Sequence, residues 1–476
     1  MQGRTDPHYL GNLKKIESKY SIAHGTAILG LSLLQSFTQD DAFLKVKENL
    51  EWAGKCTHWN KFSSIASLGL IFKNTRSRQH LTKFLPESNA GDGVNHYSNG
   101  GALYGLGLLY TGTNDQAIVD YIIDKTVNPT LNQNEVVMHG ACLGLGLTAF
   151  ASSNEIVADR IKDILRASTS VMGEAAALSL GLIFAGTNNE SIISELIATA
   201  ADSEHEKIIR SVCISIGLIC FQSPSAEFLE NLESNPVIKL AVPFYLACAY
   251  FKSSNPMVVR KLLKLSNDIS NEVKRAAIMA LGFVLYQDEK LISVIKMLLY
   301  SYNPYIRYGC IMALAIGSKT TKETLELIWP HLTDSVDFVR QGAYLSLSML
   351  LQVATNQSEP RLADFRKTLD ETLVKTQGDQ MTKLGAILSI GMLDIGGRNM
   401  NISLTTRSGI PKLEAVTGLL VFSQYWNWFP YINFVGLALS PSMYIGVTAD
   451  LKIPTNFKLN SNCKQSLFDY PANIPK

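Results

Sequence analysis

A short pattern, small–apolar–Leu–Gly–Leu, returns along most of this chain at a nearly fixed interval. It reads SIAHGTAILGL at 21–31, FSSIASLGL at 62–70, GGALYGLGL at 100–108 and HGACLGLGL at 139–147. It continues as GEAAALSLGL at 173–182, RSVCISIGL at 210–218 and RAAIMALGF at 275–283, with weaker copies at 239–250, 307–317, 340–349 and 383–392. The glycine anchors are Gly30, Gly69, Gly107, Gly146, Gly181, Gly217, Gly282 and Gly391; Ala249, Ala315 and Ser348 take the same place in three weaker copies. Successive anchors lie 32 to 43 residues apart. A period of this size is that of a two-helix unit, which cannot bury its apolar face alone and so stacks on its neighbours. The fold class expected is mainly α, a solenoid of about eleven two-helix repeats.

A mid-helix glycine costs about 1 kcal/mol relative to alanine. Repeating that cost at one phase implies a packing reason: the missing side chain lets a neighbouring helix approach closely. The anchor helices are apolar or small on every side, which places them in a buried inner layer with the more polar second helices outside. The flanks carry end signals. Asn134, Asn271 and Asn303 precede anchor helices as N-cap candidates, and Asn114, Asn189 and Asn255 precede the second helices. Gly112 and Gly186 are placed to end anchor helices in the left-handed conformation.

Beyond Gly396-Gly397 the repeat signal stops. Residues 399–409 alternate like a strand, and 413–447 is rich in aromatic and β-branched residues, with no charge between Glu414 and Asp450. This is the one stretch long enough to cross a membrane, but Pro430 and Pro441 would interrupt any spanning helix. The sequence divides into a helical array at 1–395 and a small β-rich C-terminal module at 396–476, whose last part, 452–476, is expected to run extended over the surface.

Charge argues against nucleic acid as a partner: 43 Lys and Arg against 41 Asp and Glu give a net of +2 with no basic run. Seven cysteines, an odd number without a Cys-x-x-Cys pair, point to a reducing compartment. The first fifteen residues contain no apolar run of a secretory signal. Gly105-Leu106-Gly107 and Gly144-Leu145-Gly146 fail as dinucleotide fingerprints, because Tyr110 and Ala149 stand where the third glycine belongs. The 316–321 stretch, IGSKTT, lacks the adjacent Gly-Lys of a phosphate loop. His139 and Cys142 are spaced to share one helix face, as metal ligands can, but no second ligand pair exists, and Cys56 and His58 are equally isolated. No catalytic residue, metal site or cofactor site is expected. Arg210, Arg275, Arg307 and Arg340 recur near the starts of anchor helices, and are expected to reach an acidic group or carbonyl of the next repeat.

The chain resembles the proteasome/cyclosome-repeat family, and within it most closely the larger non-ATPase subunit of the proteasome regulatory particle base. The resemblance rests on the repeats and on NLEWAGKCTHWNKFSSIASLG (49–69), HEKIIRS (205–211), SYNPYIRYG (301–309), VRQGA (339–343), GGRNMNISL (396–404), VFSQYWNWFP (421–430) and DLKIP (450–454). It implies an array closed into a toroid, with anchor helices inside, and a β-rich C-terminal module. It implies a non-enzymatic scaffold in the cytoplasm and nucleus. The partners implied are the ATPase ring, the lid subunits, the paralogous large base subunit and a ubiquitin receptor, with neither nucleic acid nor membrane among them. Family members also carry a helical rod before the array and an acidic, receptor-binding tail after it; neither is expected within these 476 residues. Pro243, in the unit without a glycine, departs from the pattern. Alternative readings are a membrane-associated adaptor anchored by 413–447 and a scaffold of the anaphase-promoting complex.

Overall fold

The structure is a computed structural model and describes residues 21–41, 56–86, 95–167, 169–374 and 379–442, together with His8, Gly11 and Leu13. The expected tail at 452–476, Cys463, and residues 443–447 of the aromatic run lie outside the described residues.

Each anchor lies in its own helix: α1 (Ser21–Leu34), α2 (His58–Ile71), α3 (His96–Leu109), α4 (Glu135–Thr148), α5 (Ser170–Ile183), α6 (Glu206–Ile219), α7 (Ala241–Ala249), α8 (Asn271–Val284), α9 (Pro304–Gly317), α10 (Asp337–Leu350) and α11 (Gln380–Leu393). These form an inner layer: in α3 every residue from Ser98 to Leu109 is buried. The second helices are amphipathic. Glu155–Arg166 buries Val157, Ala158, Ile161, Ile164 and Leu165 on one stripe and gives the rest to water. Ten of the eleven inner helices have 14 residues; α7 has nine, with Pro243 near its start. Proline is tolerated there because first-turn N–H groups have no intrahelical acceptor.

Consecutive inner helices pack side by side, and α11 packs on α1. A Cβ on Gly30 would fall 2.9 Å from the Ile387 carbonyl, and Gly391 faces Gly30 in return. The packing order therefore comes back to its start.

The turns after most inner helices tie neighbouring repeats together through backbone. Gly112 and Gly186 adopt φ of +69° and +74°, the left-handed region that a Cβ disfavours. Their N–H groups donate to the carbonyls of Leu147 and Leu218, in the last turns of the next inner helices, at 2.9 and 3.0 Å. Ala151 and Gln287 do the same toward Leu182 and Gly317 despite their side chains. Each helix that receives such a bond has an orphan C-terminal carbonyl satisfied by the preceding repeat. Asn134, Asn303, Asn189 and Asn255 cap as expected, each accepting from a backbone N–H of its first turn. Two expected caps move by one residue. Asp115, not Asn114, caps Gln116–Val127, and Asn271 is already inside α8, behind Ser270.

The C-terminal part combines a small sheet with helical segments. Among the described residues its strands are β1 (Met400–Ile402) and β2 (Leu439–Pro441), an antiparallel pair with Met400 opposite Pro441, plus a bridge between Thr405 and Pro411. Leu413–Phe422 is a helix, α12, followed by the 3-10 turns of Phe429–Phe434 and a short helix at Val435–Ala438. Ala415 through Tyr425 is buried without a break, and among the described residues no sheet lies beside it to take up its backbone groups, which the helix pairs internally. The stretch joins the same hydrophobic core as the inner helices, so packing runs across the change of pattern at 395/396. Among the described residues no helix is long and apolar enough to cross a membrane.

Candidate functional site

The anchors occupy helix–helix contacts. A Cβ on Gly107 would lie 2.6 Å from Gly144 Cα; on Gly146, 2.8 Å from Ser179 Cα; on Gly217, 2.9 Å from the Phe244 carbonyl; on Gly282, 2.6 Å from the Ala313 carbonyl. Gly69 would meet the Gly105 carbonyl, and Gly181 the Ser215 side chain, closer still. Real Cβ atoms do not come this near, so these residues set the spacing of the array. They carry no chemistry of their own.

The chemistry lies two turns earlier. Seven residues before the anchor, the repeats stop resembling one another: Phe62, His139, Glu174, Arg210, Arg275, Tyr308 and Gln341 occupy one register on seven inner helices. Seven residues are close to two helical turns, so this position shares the anchor's face. Here it turns toward the C-terminal segment 424–434. Trp428 Nε1–H donates to His139 Nε2 at 3.0 Å, and Trp426 Nε1–H to Gln341 Oε1 at 3.0 Å. Tyr308 donates to the Tyr425 hydroxyl at 3.3 Å. The Arg275 guanidinium lies over the Trp426 ring, 4.5 Å from its centre. Asn427, with its carbonyl turned toward the two arginines, accepts from Arg275 at 3.3 Å and Arg210 at 3.2 Å. Neighbouring positions add Tyr104 donating to the Pro430 carbonyl at 3.1 Å and Asn433 donating to the Ser63 carbonyl at 3.3 Å. One segment is thereby held by seven inner helices between α2 and α10: α2, α3, α4, α6, α8, α9 and α10.

Electrostatics differ around this layer. His139 is fully buried; burial pushes its imidazole down to about 4, so it is neutral. Its Nδ1–H donates to the Val171 carbonyl at 2.8 Å, which leaves Nε2 to accept from Trp428. Cys142, one turn on, is a buried thiol pushed up to about 12 by desolvation, and so is not a thiolate ligand at neutral pH. Glu174 is 1% exposed and raised to about 7 by burial, against the pull of Lys207 and Arg210. Lys207 itself sits over the Trp428 ring at 5.2 Å.

The four arginines separate into two kinds. Arg307 and Arg340 stand eight residues before their anchors, one position off, which turns them about 100° around the helix. They reach the next repeat: Arg307 makes a two-pronged pair with Asp334 at 2.8 and 2.9 Å, and Arg340 bonds Asp379 at 2.6 Å. Arg210 and Arg275, at the seventh position, face the C-terminal segment; Arg210 also spans the short α7 to Glu272 at 3.0 Å. The expectation for the series holds for two of its members, with Arg210 reaching an acid two repeats on. What the sequence reading missed is the seventh-position layer, whose signal is divergence at a fixed register.

Among the described residues no group of three or more His, Cys, Asp or Glu is placed to hold a metal. The described cysteines are buried and unpaired by disulfide. Residues 316–321 form the end of α9 and the cap of the next helix, where Thr321 accepts from the Thr324 N–H.

Residues 175–209 match the family model for the proteasome/cyclosome repeat, and residues 259–348 that for HEAT repeats. The chain is 38% identical over 468 residues to 26S proteasome non-ATPase regulatory subunit 1 homolog A of Arabidopsis thaliana, covering 96% of this chain and 46% of the relative. It is 37% identical to 26S proteasome non-ATPase regulatory subunit 1 of Drosophila melanogaster (96% and 45%) and 35% identical to 26S proteasome regulatory subunit rpn2 of Schizosaccharomyces pombe (98% and 49%). The chain spans about half the length of the curated relatives it matches. By its repeats, its helical array and a similarity that runs through nearly all of its length, this chain resembles proteasome/cyclosome-repeat proteins and is similar to the non-ATPase regulatory subunit 1 of the 26S proteasome.

Proposed function

We propose that the chain is a non-catalytic scaffold of the proteasome regulatory particle, which organises ATPase-ring and lid subunits, contacts the paralogous large base subunit and supports docking of a ubiquitin receptor. The observation that carries this is its similarity, over 96% of its length, to proteins named as 26S proteasome regulatory subunits. The architecture fits the role. Backbone-close contacts fix the repeats rigidly, and a cyclic packing order, best drawn as a toroid, presents turns and outer helices as a fixed outer surface. The working places of such a scaffold are the cytoplasm and nucleus. Affinity purification of the tagged chain from cells, with ATP maintained, is expected to recover ATPase and lid subunits. Recovery of the chain alone refutes the scaffold reading. Imaging of the same tagged chain checks the location, and exclusion from either compartment refutes it.

A further inference from the structure

Glu174 is the one carboxylate in the seventh-position layer, and it lacks the partner that its sisters have. Its Oε2 is buried with no hydrogen bond, in a side chain 1% exposed. Across from it, the hydroxyl of Tyr431 on the C-terminal segment is equally buried and also makes no hydrogen bond, though Ser211 is near. The charged groups around Glu174 come from α6: Lys207, whose ammonium is over Trp428, and Arg210, which is shared between Glu272 and Asn427. From α4 the facing titratable group is the neutral His139, already committed to Val171 and Trp428.

We propose that Glu174 is the proton-binding centre of a latch through which α5 and α6 grip or release the C-terminal segment. With the carboxyl protonated, no buried charge needs an ion partner. Lys207 stays on Trp428, and Arg210 stays on Asn427 and Glu272. When the proton leaves to solvent, a carboxylate is left in an apolar wall, a placement that is costly unless it is paired. The available partners are Lys207 and Arg210. A turn of either toward Glu174 takes it from Trp428 or from Asn427, and loosens the segment at its tip. Because burial holds this carboxyl near 7, the change falls in the physiological range. The latch is a property of this chain alone and stands whether or not it assembles with proteasome subunits.

The test is hydrogen exchange of peptides covering 424–434 in the full chain, corrected for the intrinsic pH dependence of exchange, from about pH 5.5 to about pH 8.5. Wild type is expected to lose protection with a midpoint near neutrality, by roughly tenfold or more, one pKa unit of differential interaction being a factor of ten. Glu174→Gln, neutral at every pH, is expected to stay protected throughout. Should that variant not fold, Lys207→Gln serves: removing a cation that favours the carboxylate is expected to raise the midpoint. Infrared difference spectra of the wild-type chain give an independent reading, a carboxylic acid band that disappears across the same range. A flat wild-type profile, an unaltered profile in Glu174→Gln, an unmoved midpoint in Lys207→Gln, or the lack of a titrating acid band overturns the proposal.

Discussion

Gly105 and Gly107 stand two residues apart in α3, and the same substitution at each is expected to give opposite results. A Cβ added at Gly107 falls 2.6 Å from Gly144 Cα, 2.7 Å from its carbonyl oxygen and 3.1 Å from its carbonyl carbon. Non-bonded carbons rest at about 3.5–4.0 Å, so α3 and α4 must part by about 1 Å. All three obstacles are backbone, and neither helix can yield alone, because Gly144 is itself pressed against the Leu103 carbonyl. Overpacking of this kind costs about 1–3 kcal/mol, and the helix propensity gained on leaving glycine offsets about 1. With every obstacle a backbone atom the upper part of that range applies, and Gly107→Ala is expected to lose up to about 2 kcal/mol. At Gly105 the nearest atoms are Leu81 Cδ2 at 3.2 Å, the Ala66 carbonyl oxygen at 3.3 Å and Ala66 Cα at 3.4 Å. A few tenths of an ångström suffice there, the first obstacle is the end of a flexible side chain, and the propensity gain offsets the strain. Gly105→Ala is expected within about 0.5 kcal/mol of wild type. Urea midpoints measured side by side decide the matter. A wild-type midpoint for Gly107→Ala, or a larger loss at Gly105, refutes the claim that close approach of helices explains the glycine phase.

Trp428→Phe leaves the buried His139 Nε2 without its donor, and is expected to cost about 1–3 kcal/mol by urea denaturation. Asp394→Leu is expected to be more severe, about 3–5 kcal/mol, because it strands the Arg366 guanidinium, 4% exposed, that two bonds of 2.7 and 2.9 Å now neutralise; a loss below 1 kcal/mol would contradict this. The pH dependence of stability has two opposed parts. Glu174 binds its proton more tightly folded (about 7) than unfolded (4.5), so its contribution is complete below 4.5 and is lost as pH rises through 7, about 3 kcal/mol in all. His139 binds its proton more weakly folded (about 4, against 6.5), so its contribution is present above 6.5 and is lost as pH falls through 4. The two slopes cancel between 4.5 and 6.5, and Glu174→Gln is expected to uncover the acid-side loss there; melting curves across that range test it.

The array was legible because glycine at a fixed phase leaves a trace that no other residue can imitate. Asn134 and Asn303 were legible because a cap is a local event. Asn114 lost its role to Asp115, whose carboxylate caps from one residue on, and Asn271 lies inside α8, which begins behind Ser270 without a side-chain cap. Leu413–Phe422 is helical although it carries Val416, Thr417 and Val421, since β-branched residues favour strands only where a pleated neighbour exists to receive them. The seventh-position layer stayed hidden for a different reason. A search for repetition passes over the one register where His139, Glu174, Arg210 and Tyr308 have nothing in common, and their shared target is far along the chain. Counting Arg307 and Arg340 with Arg210 and Arg275 blurred it further, because a shift of one residue redirects a helical side chain by more than a quarter turn.

The grip of His139 on Trp428 joins residues 289 positions apart, so the second leaves the ribosome well after the first. At roughly 5–20 residues per second, α4 waits on the order of 15–60 s for its partner to be made. Throughout that interval the face bearing His139, Glu174 and Arg210 has no filler, and the first inner helix has no last helix to lean on. A nascent array of this kind presents an apolar wall to the cell for the length of its own translation. Vectorial synthesis therefore makes the order of residues along this chain a matter of protection from aggregation as much as of final stability.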